Sequence, residues 1–137
     1  MNNMNNMNKI NLDFNGIIKK IKQIDFGKVD SVVAISRGGI VPGALIANLL
    51  KVDFHIININ FRDDCHNEKY DTPKLLNKID FDTKNKNILL VDDVSRTGKT
   101  LNFAKELLNT NVRTFVINGT ADYSLYDYKE CLIFPWN

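Results

Sequence analysis

Ile88-Leu89-Leu90-Val91-Asp92-Asp93-Val94-Ser95-Arg96-Thr97-Gly98-Lys99-Thr100-Leu101 joins an apolar run, two adjacent acids and a small turn that carries hydroxyls and a glycine. The apolar run has the length and composition of a strand buried on both faces of a parallel sheet. Asp92 and Asp93 fall at its carboxyl end, where open α/β sheets place their ligands. The pattern predicts a strand over 87–92, a turn, and a helix over 98–109. Thr97, Gly98 and Thr100 can offer hydroxyls and unhindered backbone N–H groups to a phosphate, beside the positive end of the helix that begins near Lys99. Taken singly, an acidic pair is a solvated strand end and Gly-Lys-Thr a plain helix start. A P-loop is excluded, because its first glycine would stand where Asp93 does.

A second stretch has the same construction. Ser31-Val32-Val33-Ala34-Ile35-Ser36-Arg37-Gly38-Gly39-Ile40-Val41-Pro42-Gly43-Ala44-Leu45-Ile46-Ala47 is an apolar strand (31–36), a Ser-Arg-Gly-Gly turn and an apolar helix (40–50) with Pro42 in its first turn. Glycines remove side-chain bulk so that N–H groups approach an anion, and Arg37 adds a charge-assisted donor. A Gly-Gly turn alone is ordinary punctuation between strand and helix. Both turns suit an anion, and one of them lies beside an acidic pair.

The 88–101 segment closely resembles the phosphoribosyl-pyrophosphate (PRPP) signature of type I phosphoribosyltransferases, and the 31–47 segment resembles the pyrophosphate loop of their 6-oxopurine, xanthine-guanine branch. The resemblance implies a parallel twisted sheet flanked by helices, with a mobile lid loop and a short C-terminal hood. It implies that Asp92 and Asp93 hold the ribose hydroxyls and, through them or through water, Mg²⁺. Val94, Ser95, Arg96, Thr97, Gly98, Lys99 and Thr100 would wrap the 5′-phosphate. Ser36, Arg37, Gly38 and Gly39 would hold pyrophosphate. The implied reaction moves 5-phosphoribosyl from PRPP to a purine or related base with release of pyrophosphate. Implied partners are these small molecules and further copies of the chain, as a dimer or tetramer.

Three departures fall on the base side. Where purine-salvage members of that branch carry an acid before the Thr-Gly pair, this chain has Arg96, whose guanidinium accepts no proton near neutral pH. Where a lysine follows the strand matching Thr114–Ile117, Asn118 and Gly119 follow here. Where an aromatic residue stacks on the purine, Cys131 or Leu132 stands, although Phe134 in Phe134-Pro135-Trp136-Asn137 can restore some stacking. By resemblance Asn118, Leu132 and Phe134 are the base-binding candidates. Arg96 is counted with Asp92 and Asp93 as catalytic, its side chain turned either to the base or outward to a phosphate or an acid. Two functions compete: an active transferase, and a catalytically weak PRPP- or nucleotide-binding regulatory protein.

Composition sets outer bounds. At 137 residues, 44% of them hydrophobic, the chain is long enough for one core. A net charge of +2 with scattered basic residues argues against nucleic acid. No apolar run reaches the roughly 18 residues of a membrane span. Cys65 and Cys131 lack metal-ligand spacing and suit a reduced, cytoplasmic setting. Asn and Met alternate irregularly at the start, which predicts a disordered tail over 1–10 ahead of a domain over 11–137. Phe14, Ile17, Ile18, Ile21 and Ile24 repeat at helical spacing. Strands are further expected over 53–60, 112–118 and 131–134. The polar segment 61–86 reads as the lid; it holds Cys65, His66 and the anion-binding candidates Arg62, Lys69 and Tyr70. His55, in the strand before it, reads as a core or edge residue.

Overall fold

In chain order the elements are β1 (Lys9–Asn11), α1 (Phe14–Lys22), β2 (Ser31–Ser36), α2 (Ile40–Leu50), β3 (Asp53–Asn60), β4 (Lys74–Leu75), β5 (Asn87–Ser95), α3 (Lys99–Leu108), β6 (Asn111–Gly119), β7 (Tyr123–Tyr126) and β8 (Cys131–Ile133). This computed structural model describes residues 9–60 and 73–137. Six strands form one sheet in the order β4-β3-β2-β5-β6-β7. Every neighbouring pair is parallel except β3 with β4. β1 and β8 form a separate parallel pair, with Lys9 opposite Cys131 and Asn11 opposite Ile133.

The apolar runs divide between two cores because successive side chains leave a strand on opposite faces. Leu89 and Val91 pack with Val32, Phe115 and Ile117 against Ile17 and Ile21 of α1 and Ile46 and Ala47 of α2. Ile88 and Leu90 pack with Val33, Ile35 and Val116 against Leu101, Ala104 and Leu108 of α3. Each fully buried side chain of this kind is worth about 1.5–3 kcal/mol. The expected sheet with helices on both faces is therefore what these strands build, and its carboxyl edge carries both glycine turns.

Several boundaries differ from the sequence reading. β5 continues past 92 through Ser95, because β6 keeps pairing with it: Asp92 lies opposite Val116, Val94 opposite Asn118 and Ser95 opposite Gly119. α1 stops at Lys22, two residues short of Ile24. Lys9 and Ile10, assigned to the tail, form β1 instead, and Leu12 N–H donates to Ile133 O at 2.9 Å. β7 had no apolar run to announce it. The C-terminal part of the expected lid is docked: Ile79 and Phe81 pack on the second core, and the Phe81 ring stacks on His55 at 4.1 Å and 6°. Asn58 N–H donates to Asn77 Oδ1 at 2.7 Å, and Leu76 N–H to Asn58 O at 2.7 Å. Arg62, Cys65, His66, Lys69 and Tyr70 lie outside the described residues, as do residues 1–8.

The entry to β5 is pinned by Asp30. Its Oδ2 accepts from Asn87 N–H at 2.7 Å and from Asn87 Nδ2 at 3.1 Å, while Asp30 N–H donates to Asn87 O at 2.8 Å. The bond from the Asn87 main chain, aided by the Asn87 amide and by Lys28 and Lys86, holds the Asp30 carboxyl below its usual range against the opposing effect of desolvation. A depressed carboxyl stabilises the fold above its unfolded pKa, and that stabilisation disappears as pH falls through the folded value. Asp30→Ala should lower the melting temperature near neutral pH. The gap from the native chain should close at strongly acid pH in parallel thermal melts, and a gap that widens on acidification would contradict this role.

Candidate active site

The Ser36–Gly39 turn meets the end of β5 because β2 and β5 are neighbours. Gly38 lies so close to the Asp93 carboxyl that a Cβ on it would overlap that group, and a Cβ on Gly39 would overlap Val91 O. Only glycine permits this approach. The turn itself is fastened by Gly39 N–H to Ile35 O at 2.8 Å and Ile40 N–H to Arg37 O at 3.1 Å, and it includes a cis peptide between Ser36 and Arg37. Arg37 is exposed at its tip. Asp92 is buried, and its Oδ1 accepts from Asp93 N–H at 2.8 Å. Asp93 is half-buried, and its Oδ1 accepts from Val94 N–H at 2.7 Å. Each carboxylate is thus oriented by the main chain of the next residue.

The turn after β5 is shorter than 94–100. Val94 is buried in the first core, and Ser95 is still in β5, its buried hydroxyl without a hydrogen-bond partner among the described residues. The bend proper is Arg96-Thr97-Gly98. Gly98 sits at φ 82°, the left-handed conformation glycine adopts freely, and caps the start of α3. Lys99 N–H donates to Thr97 Oγ1 at 3.3 Å. Thr97 and Lys99 are exposed beside the helix terminus, as an anion site requires.

The base-side candidates are engaged within the protein. Asn118 is fully buried, its Nδ2 donating to Tyr128 O at 3.0 Å and its Oδ1 accepting from Tyr128 N–H at 2.7 Å. Arg96 bonds main-chain carbonyls: Nη1 donates to Tyr128 O at 3.0 Å and Nη2 to Glu130 O at 2.9 Å. Leu132 is buried in the first core, and buried Phe134 stacks on Trp136 at 5.2 Å and 6°. Tyr128, which the sequence reading missed, supplies the main-chain groups at the centre of this region, and its ring stacks on Tyr126 at 5.5 Å. A main-chain acceptor has no residue-type signature.

Among the described residues no three or more His, Cys, Asp or Glu side chains gather to cage a metal. An adjacent pair of carboxylates suits Mg²⁺ only if the cation keeps water and takes most of its oxygens from a substrate, which is its usual habit beside phosphates.

Residues 2–115 match the phosphoribosyl transferase domain model. The chain belongs to that family. A xanthine-guanine phosphoribosyltransferase of Desulfotalea psychrophila is 30% identical over 147 residues, covering 94% of this chain and 82% of that one. An orotate phosphoribosyltransferase of Sulfurisphaera tokodaii is 34% identical over 96 residues, 70% of this chain and 43% of its own length. The chain spans about half the length of two of the curated relatives it matches. The purine phosphoribosyltransferase structure from Pyrococcus horikoshii superposes with TM-score 0.80 at 25% identity, covering 96% of this chain and 95% of the other.

The nearest atoms to a Cβ on Gly38 are those of the Asp93 carboxyl. Gly38→Ala should therefore destabilise the native chain by about 1–3 kcal/mol, the usual range for overpacking, and much less in an Asp93→Ala background. Denaturant melts of the two single variants and the double variant measure this coupling. Additive losses would show that Gly38 does not press on the Asp93 carboxyl.

Proposed function

We propose that this chain transfers the 5-phosphoribosyl group of PRPP to a purine or related base, releasing pyrophosphate and forming a nucleoside 5′-monophosphate. The observation that carries the reading is the contact of Gly38 with the Asp93 carboxyl. In this reading the Arg37–Gly39 turn, which would bind pyrophosphate, lies beside the Asp93 carboxylate, which would bind ribose hydroxyls, and the turn at Thr97–Thr100, which would bind the 5′-phosphate, follows the same strand. A ribose carrying phosphate at C5 and pyrophosphate at C1 has this pattern of groups.

In the proposed reaction a ring nitrogen of the base forms a bond to C1 as the C1–O bond to pyrophosphate breaks, the bonding electrons leaving with pyrophosphate. Gly38, Gly39 and Arg37 stabilise the departing charge through N–H groups and a guanidinium. Asp92 and Asp93 orient the ribose through its 2′- and 3′-hydroxyls, which fixes C1 between donor and acceptor. Thr97, Gly98, Lys99 and Thr100 hold the 5′-phosphate. Arg96 and Asn118 are bonded to the main chain, and neither is a proton acceptor at neutral pH, so the base proton passes to solvent or to pyrophosphate. Mg²⁺, held near Asp92 and Asp93 through ribose hydroxyls and water, would neutralise charge on pyrophosphate. A homo-oligomer in the cytoplasm belongs to the same reading, supported by the family resemblance.

The test is pyrophosphate release from PRPP with guanine, xanthine, hypoxanthine and orotate, alongside PRPP binding by calorimetry. Turnover with an oxopurine is expected. Replacing Asp92 and Asp93 together with Asn should lower turnover or PRPP affinity at least about tenfold, since each charge-assisted hydrogen bond is worth roughly 1.5–3 kcal/mol, with little change in melting temperature. PRPP binding without turnover on any base would favour a regulatory binding protein, and an unaffected double variant would refute the assignment of the acids.

A further inference from the structure

Four hydrogen bonds from Arg96 and Asn118 converge on a short piece of main chain. Tyr128 O receives both Arg96 Nη1 and Asn118 Nδ2 at 3.0 Å, Tyr128 N–H donates to Asn118 Oδ1 at 2.7 Å, and Arg96 Nη2 reaches Glu130 O at 2.9 Å. The Asn118 amide matches both polar groups of one residue, as a neighbouring strand would. It is fully buried, so movement of Tyr128 away from it would leave two amide atoms without partners. Arg96 adds charge-assisted bonds from the other side. The two side chains start from the carboxyl ends of adjacent strands, Arg96 one residue beyond β5 and Asn118 next to last in β6. Together they fasten the 128–130 segment to the edge of the sheet on which the phosphate turn is built.

The chemistry says what that segment faces. A nucleophile attacks C1 from the side opposite the leaving group. With the pyrophosphate turn on the β2 side of β5, the base must approach from the β6 side, where Arg96, Asn118 and the Tyr128–Glu130 main chain lie.

We propose that Arg96 and Asn118 are positioning residues that hold the 128–130 segment as a wall of the base site, so that affinity for the base depends on side chains that never touch it. The inference rests on the transferase reading. It also gives Arg96 a third role beside the two the sequence left open, contact with the base and contact with a phosphate or an acid.

The test compares PRPP, which has no base, with whichever of GMP, XMP or orotidine monophosphate the native chain binds best, using calorimetry on native chain, Arg96→Ala and Arg96→Lys. Arg96→Ala should weaken the monophosphate about tenfold more than it weakens PRPP, the scale of one charge-assisted hydrogen bond, because both ligands share the 5′-phosphate and only one carries a base. Arg96→Lys, which keeps a charged donor, should fall between native and Ala, and millimolar guanidinium should recover part of the loss in the Ala variant alone. Exchange of the Tyr128 amide hydrogen should speed up in the Ala variant. Equal losses for PRPP and monophosphate, or monophosphate affinity unchanged, would overturn the clamp while leaving the transferase reading intact. A native chain that binds neither ligand would overturn that reading and the clamp with it.

Discussion

Two backbones that approach at one edge of a sheet set the terms for this site. Gly38 and Gly39 lie against the Asp93 carboxyl and Val91 O, with no room for any side chain. That closeness needs β2 and β5 to be adjacent and parallel, so that both reach the same edge and both turn there into helices. It also concentrates opposite electrostatic tendencies within a few ångströms: turns that favour anions, and two carboxylates that favour hydroxyls and cations. Under the proposed function, the ligand that meets both carries negative groups at its ends and hydroxyls between them.

The rest of the molecule keeps that edge in register. Leu89 and Val91 are held by the core under α1 and α2, and Ile88 and Leu90 by the core under α3, so β5 cannot slide without moving apolar side chains to the wrong face. Polar bonds fix what packing leaves free. Asp30 secures the first residue of β5, and Arg113 on β6 binds the carbonyls of Phe26 and Lys28 and the Tyr123 hydroxyl, tying the loop before β2 to β7. Thr114 and Asp122 bond each other through side chain and main chain and set where β7 begins.

The central strands and helices were legible because each is an apolar run bounded by glycine or polar residues, and burial on two faces leaves that mark in composition. The two strand-to-helix turns were legible for a related reason, since glycine and small hydroxyls mark the place where a buried strand ends and a helix begins. β1 and β8 are only three residues each, and their pairing joins distant parts of the chain, so no local pattern reveals them. Asn118 and Arg96 show a different limit. Their residue types pointed to ligand chemistry, yet their partners are peptide groups of Tyr128 and Glu130, which any sequence at those positions would supply. Phe134 was read as a stacking surface for a base, and in the folded chain its ring stacks on Trp136, a contact no local pattern announces.

The pairing of β1 with β8 bears on how the molecule is made. Lys9 lies opposite Cys131 and Asn11 opposite Ile133. Every strand of the large sheet lies between these two in the chain. The pair therefore closes a loop of about 120 residues, and the entropy cost of such closure grows only slowly with loop length. Contacts of long sequence separation slow folding, and Leu132 of β8, buried in the first core, ties that closure to the packing of the sheet.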